Sequence, residues 1–215
     1  MNPSRVSLPA GLLACTASLV MTLAACGSDT EASSTTTPPS TSTSSLADEL
    51  VPPPVETGDP ASAMCPTGAP QPGGTPEWTL SGDTGSVNVT GSTDSAAPLI
   101  EVQSPFSVTE TQVHTLKPGD GPVVSDTAKV LVCYMGVNGR DGSVFDSSYE
   151  RGMPVDFPLD GVVPGFQKAI AGQKVGSTVA VAMTSADGYP EGQPAAGIQA
   201  GDSLVFAIKI LDASR

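Results

Sequence analysis

The chain has 215 residues, with 22 acidic against 9 basic side chains and a formal charge of −13. No run of Lys or Arg is available to follow a phosphate backbone, which argues against a nucleic-acid partner, and the acidity is that of a solvated surface. Eight of the nine aromatic residues lie between Phe106 and Phe206, with only Trp78 before them, so one compact domain is expected behind a long N-terminal extension. That compact part is too small for two lobes around a cleft, which disfavours a solute-binding protein.

Arg5 is the only charged residue among the first 28, and it precedes a mostly apolar, small-residue stretch from Val6 to Ala25. This is the pattern of a secretory signal. Ser7, Pro9, Gly11, Thr16, Ser18 and Thr22 interrupt the run, making it a poor permanent membrane span. Its end, Leu23-Ala24-Ala25-Cys26, resembles a bacterial lipobox. The resemblance implies removal of residues 1–25 and lipidation of Cys26, and two or more acyl chains anchor stably where one binds only marginally. The expected location is therefore the extracytoplasmic face of the cell membrane, lipid-anchored, as a monomer. The alternative is an ordinary cleavable signal with an incidental Cys.

Residues 26–76 read as a disordered Ser/Thr/Pro-rich tether followed by an irregular arm. Thr35-Thr36-Thr37-Pro38-Pro39 and Thr41-Ser42-Thr43-Ser44-Ser45 cannot bury enough apolar surface to offset chain entropy, and Pro52-Pro53-Pro54 and Pro72-Gly73-Gly74 continue the irregular character. With Cys15 in the signal and Cys26 lipidated, Cys65 and Cys133 remain as a disulfide candidate in an exported protein. Closing a loop of about 67 residues would contribute roughly 4 kcal/mol in the chain-entropy model. No metal is expected: there is no CxxC, and the single His114 reads as an exposed or satisfied strand histidine.

Residues 77–107 form an extension of the domain, with Trp78-Thr79-Leu80 and Gly85 to Thr90 as short strands or extended arms; extra strands and a loose collar both remain open for 46–107. The domain proper is expected over 108–213. Val108 to Leu116 is rich in Thr and Val, as strands prefer, and Lys117 to Pro122 is a turn. In the strand Ala128 to Tyr134, alternation puts Val130, Val132 and Tyr134 on one face and Leu131 and Cys133 on the other, where an N-terminal arm can reach Cys133. Asn138-Gly139 and Asp141-Gly142 mark a reversal into Ser143-Val144-Phe145. Pro164 to Ile170 is predicted as a short helix with Phe166, Ala169 and Ile170 on one face and Gly172 beyond its end. Strands follow at Thr178 to Met183 and Leu204 to Leu211. The expected class is α+β: a five- to six-stranded antiparallel sheet curled around one short helix.

Taken together, Tyr134, Val144-Phe145-Asp146-Ser147-Ser148, Val162-Val163-Pro164-Gly165-Phe166 and Leu204 to Leu211 resemble FKBP-type peptidyl-prolyl isomerases over about Val108 to Leu211. The resemblance implies an FKBP-like fold and a prolyl pocket. Tyr134, Phe145, Phe166 and Phe206 would enclose the ring, and Asp146 would orient Tyr134. The Val163 N–H and the Tyr189 hydroxyl would hold substrate carbonyls, and Ile198 would lie on the flap. Arg151, Val155 and Phe157 would support the wall. Val155 stands where an aromatic is frequent, Phe166 where many members carry Trp, and the flap Pro190 to Ile198 has small residues before Ile198. The reaction requires no cofactor, nucleophile or proton relay. The substrates implied are proline-containing unfolded or exported proteins. The rival expectation is an FKBP-fold binding or chaperone module with weak or no isomerase activity.

Overall fold

The computed structural model describes residues 64–70 and 72–214. The signal stretch, Cys26 and the tether as far as residue 63 lie outside the described residues. The elements in chain order are β1 (Trp78–Ser81), β2 (Thr84–Thr90), β3 (Leu99–Ser107), β4 (Gln112–Lys117), β5 (Lys129–Asn138), β6 (Val144–Ser147), α1 (Ser148–Arg151), β7 (Val155–Pro158), α2 (Pro164–Ile170), β8 (Thr178–Met183) and β9 (Leu204–Ser214). Strands β4-β8-β9-β5-β6 form an antiparallel sheet that β7 completes by pairing with β5, six strands in all. Strands β1-β2-β3 form a second, three-stranded antiparallel sheet.

Every residue of β8 is buried, and its alternation shows why. Val179, Val181 and Met183 join the core beneath α2, whereas Ala180 and Ala182 join a second core with Val87 and Val89 of β2 and Phe106 of β3. Strand β9 divides likewise: Leu204, Phe206, Ile208 and Ile210 face the helix side, Val205 and Ala207 the other. Small side chains on the second face allow the small sheet to approach closely, so both faces of the central strands are dry.

Helix α2 starts with Pro164 in its first turn and buries Phe166, Ala169 and Ile170, which share a face at helical spacing. The Ala171 N–H closes onto the Gln167 carbonyl, and Gly172 at φ +79° leaves the helix in the left-handed region. Gly165 is required by packing, because a Cβ there would lie 2.8 Å from the Met183 sulfur. The helix and β8 are thus in near-backbone contact.

Two strands differ from expectation. The strand expected from Val108 starts only at Gln112: Val108 is buried in the second core, Thr109 and Glu110 are exposed, and the chain turns before joining β8. Strand β3 alternates Ile100, Val102 and Phe106 against Glu101 and Gln103, with Ser104 and Pro105 breaking the pattern; it is held by register with β2 from Thr90↔Leu99 to Thr84↔Ser107. His114 lies on β4 and stacks on Trp78, with ring centroids 5.7 Å apart and planes within 5°.

Cys65 and Cys133 are joined, their Cα atoms 5.6 Å apart and 68 residues apart in sequence. The bridge is buried against Tyr149, whose hydroxyl donates to Ser92 Oγ at 2.9 Å, and whose pKa burial pushes up to about 12. The arm continues past Gly68, whose carbonyl accepts the Ala97 N–H. Replacing both cysteines by Ser is expected to cost about 2–5 kcal/mol, read as a lower urea midpoint under non-reducing conditions; an unchanged midpoint would mean that packing alone holds the arm.

Candidate functional site

A cavity of about 400 Å³ opens on the helix side of the main sheet. Strand β5 contributes Tyr134, β6 contributes Phe145 and Asp146, β7 contributes Phe157, and β9 contributes Phe206. Phe166 of α2 forms the floor, and Tyr189 and the 161–163 loop form the rim. The rings meet edge to face: Phe166 and Phe206 at 5.3 Å and 85°, Phe145 and Phe206 at 5.5 Å and 87°, Tyr134 and Phe166 at 5.7 Å and 85°. Phe157 packs on Phe166 at 5.4 Å. Each such contact adds about 0.5–1.5 kcal/mol beyond its buried area, so the rings brace one another.

The cage depends on a residue that local sequence signals do not mark. A Cβ on Gly136 of β5 would lie 2.6 Å from the Phe145 ring and 2.7 Å from the Phe206 ring. Both rings cross the backbone where the side chain is missing. A register shift between Gly136 and Val137 lies at the same place on the β5–β6 pair. Gly161 and Val162 also line the cavity; Val162 opens the Val162 to Phe166 segment that carries the family resemblance, without a role assigned to it there, and Gly161 is not part of any expected motif. Both lie just ahead of the helix that carries the floor.

One wall is electrostatic. The Tyr134 hydroxyl donates to Asp146 Oδ2, and Arg151 Nη1 donates to Asp146 Oδ1 at 2.6 Å. Helix α1 makes this reach possible: Ser147 caps its start by accepting the Glu150 N–H, and Gly152 at φ +67° ends it one turn later, leaving Arg151 beside Asp146. Burial is the largest influence on Asp146 and works to raise its pKa, but the hydrogen bonds from Tyr134 and Arg151 outweigh it and hold the carboxyl below its ordinary value. Burial, then the bond to Asp146, pushes Tyr134 up to about 12. The Asp146 bond holds Arg151 above its ordinary value. At neutral pH the set is therefore a neutral phenol, a carboxylate and a guanidinium.

Val163 stands at the start of α2 in extended conformation, φ −60° and ψ 144°, and its carbonyl accepts the Phe166 and Gln167 N–H groups. Its own N–H lies outside the helix ladder, at the cavity edge. Tyr189 follows a short 3-10 turn, Ser185–Asp187, and its carbonyl accepts from Ser185 Oγ and the Gly192 N–H. Neither Ile198 nor Val155 is among the cavity-lining residues. Ile198, at the end of the flap, is only 2% exposed and packs into the core rather than among the cavity-lining residues. Val155 is half-buried opposite Val132 and does not line the cavity; Phe157, two residues on along the same face of β7, does.

A larger cavity of about 540 Å³ lies where the Cys65 arm and the end of β2 meet β9. Its lining mixes Met64, Pro66 and Leu211 with charged Glu77, Asp94, Lys117 and Lys209, of which Glu77 accepts the Gly91 N–H and Lys209 donates to the Gly176 carbonyl. The smaller aromatic cavity has the chemistry for an apolar ring.

Residues 121–211 match the family model for FKBP-type peptidyl-prolyl cis-trans isomerase. The chain is 36% identical over 96 residues, 44% of its length and 80% of the other's, to the probable FK506-binding protein of Corynebacterium glutamicum. This chain belongs to the FKBP family. It is also 36% identical over 101 residues to the FKBP-type 22 kDa peptidyl-prolyl cis-trans isomerase of Escherichia coli, covering 47% of this chain and 48% of that protein. To the FKBP-type isomerase FkpA of the same organism it is 38% identical over 102 residues, 47% of this chain and 36% of that protein. The match thus spans half or less of each E. coli relative. In all three alignments it is an FKBP-sized segment of 96 to 102 residues that is shared.

In this FKBP domain, Gly136→Ala is expected to push Phe145 and Phe206 apart and to cost about 1–3 kcal/mol as an overpacking substitution; loss of the near-ultraviolet aromatic signal with an intact far-ultraviolet spectrum checks it. The pH dependence follows from the two shifts. A carboxyl held low in the folded state contributes stability above its unfolded pKa of about 3.9, and that contribution is lost as pH falls through the lower folded value. A phenol held high contributes below pH 10 and loses that contribution as pH rises from 10 towards about 12. The urea-midpoint difference between the parent and Asp146→Asn should stay level from about pH 5 to pH 9 and narrow in acid; a difference independent of pH down to about pH 2 would exclude the ion pair as its source.

Proposed function

We propose that this chain catalyses cis–trans exchange of X–Pro peptide bonds in exported proteins, from a lipid anchor on Cys26. The observation that carries the reading is the braced aromatic cavity of Tyr134, Phe145, Phe166 and Phe206, closed on one side by Asp146 and Arg151. The barrier to be lowered is about 18–20 kcal/mol, set by amide resonance, and uncatalysed exchange takes tens to hundreds of seconds. A twisted amide is less dipolar than the planar one, so an aromatic cavity favours it relative to water.

The remaining groups supply orientation. The Val163 N–H and the Tyr189 hydroxyl hold the carbonyls that flank the prolyl bond, each worth roughly 1–2 kcal/mol, or about tenfold in rate, when aimed at the twisted state. Asp146 accepts from both Tyr134 and Arg151, so the polar groups of this wall are bound to one another. The Cys65–Cys133 bridge suits an oxidising compartment, and the lipobox resemblance at Leu23 to Cys26 supports the anchor.

A second reading, an FKBP-fold binding or chaperone module, draws on Val155 lying outside the cavity and on the exposed, small-residue flap of Pro194, Ala195 and Gly197. The two part on one experiment. The chain lacking residues 1–26 should accelerate exchange of an Xaa-Pro peptide, Tyr189→Phe should lower kcat/KM about tenfold, and Phe145→Ala should lower it further. Folded protein with no acceleration that still holds unfolded polypeptide would move the function to the binding module.

A further inference from the structure

The flap, residues 189–198, has little apolar material to hold it down. Pro190, Pro194, Ala195 and Gly197 are exposed, and Ile198 alone is fully buried. Its internal bonds close a small hairpin, with Gln193 and Ile198 exchanging N–H and carbonyl at 2.8 and 3.1 Å, but these do not fix it to the rest of the domain.

What fixes it comes from the β5–β6 turn and from Asp202, just beyond the flap. Asp202 is a carboxylate with its side chain only 7% exposed. It accepts the Asn138 amide at 2.7 Å, the Gln199 backbone N–H at 2.8 Å and Arg140 Nε at 3.3 Å, all on Oδ2. Arg140 extends the contact: Nη2 donates to the Gly197 carbonyl at 3.0 Å and Nη1 pairs with Asp141 at 2.8 Å. Gly197 and Gln199 are the two neighbours of Ile198, so the pair grips the flap backbone on both sides of its buried residue. The grip originates in the β5–β6 turn, directly beyond the strand that carries Tyr134 and Gly136. A planar guanidinium suits this task, since one fork reaches a carboxylate and a carbonyl at fixed relative geometry. A buried carboxylate persists only where such donors surround it.

We propose that Arg140 and Asp202 form a latch that positions the Tyr189–Ile198 flap over the prolyl cavity and thereby sets how tightly the cavity holds its peptide. Both are positioning residues, acting through Gly197, Gln199 and the flap that carries Tyr189. The proposal rests on the isomerase reading of the cavity. It differs from a role in stability alone, because a latch affects the flap and peptide binding while leaving the sheet untouched.

The test uses the full chain and its Arg140→Ala, Arg140→Lys and Asp202→Asn variants, with hydrogen exchange followed segment by segment and kcat and KM measured on Xaa-Pro peptides. Arg140→Ala should speed exchange of the 190–199 amides about tenfold while those of β8 and β9 stay at the parent rate. KM should rise about tenfold with kcat little changed, since the loss is of binding shared by ground and transition states. Arg140→Lys keeps the charge beside Asp202 and loses the fork to Gly197, so it should recover only part of both effects. Exchange that rises equally in the flap and β9 would show a purely structural role. Unchanged KM despite a loosened flap would also overturn the latch. A parent chain that does not isomerise would sink the functional reading; the latch then stands on loosened flap exchange with about tenfold weaker prolyl-peptide affinity, and falls if that affinity is unchanged.

Discussion

Burial of β8 and β9 on both faces is the constraint from which the rest of the domain follows. Towards α2 they present Val179, Val181, Met183, Leu204, Phe206, Ile208 and Ile210, and towards the three-stranded sheet three alanines, Ala180, Ala182 and Ala207, with the one larger Val205. The asymmetry of size decides which side receives a helix and a cavity and which receives a close-lying sheet. Had the large residues faced both ways, the second sheet could not have approached, and Val87, Val89 and Phe106 would lack a partner surface.

The cavity exists because the core on the helix side is incomplete at one end. Phe145, Phe166 and Phe206 meet at edges and leave a space between them, and Gly136 lets two of them cross the strand beneath. Polar groups then finish the wall without filling it. Asp146 accepts from Tyr134 and Arg151, so the charge beside the apolar cavity is paired. The family resemblance and the geometry converge on these residues, but by separate routes: one from the order of motifs, the other from ring distances and hydrogen bonds.

Two tethers act on the parts that apolar packing holds weakly. The Cys65–Cys133 bridge fastens the N-terminal arm to β5 on the face away from the cavity. Ser148 Oγ accepts the Tyr134 N–H at 2.8 Å and lies 3.5 Å from the Cys65 sulfur, so the strand that carries Tyr134 is braced from behind. On the other side, Lys168 of α2 and Thr111 both donate to Asp187, at 2.7 and 2.5 Å, linking the floor helix to the turn that leads into Tyr189. Those two bonds, from Lys168 first, hold the Asp187 carboxyl below its ordinary pKa.

The sequence by itself determined the elements whose signals are local. Runs of apolar residues marked β5, β8 and β9, Pro164 with the Phe166, Ala169, Ile170 spacing marked α2, and Asn138 to Gly142 marked the reversal into β6. The facing of Cys133 away from Tyr134 is also a property of one strand. Tertiary structure alone decided the rest. Strand β3, broken locally by Ser104 and Pro105, runs through that break because β2 offers it a ladder. Gly136 looks like any small residue until two rings from β6 and β9 converge on it. Ile198 is carried into the core, and Asp202 becomes a buried acceptor only when Asn138 and Arg140, more than sixty residues earlier, arrive beside it. Alternation and capping act between residues a few positions apart, whereas ring crossing, carboxylate burial and strand addition depend on partners that the fold must first bring together.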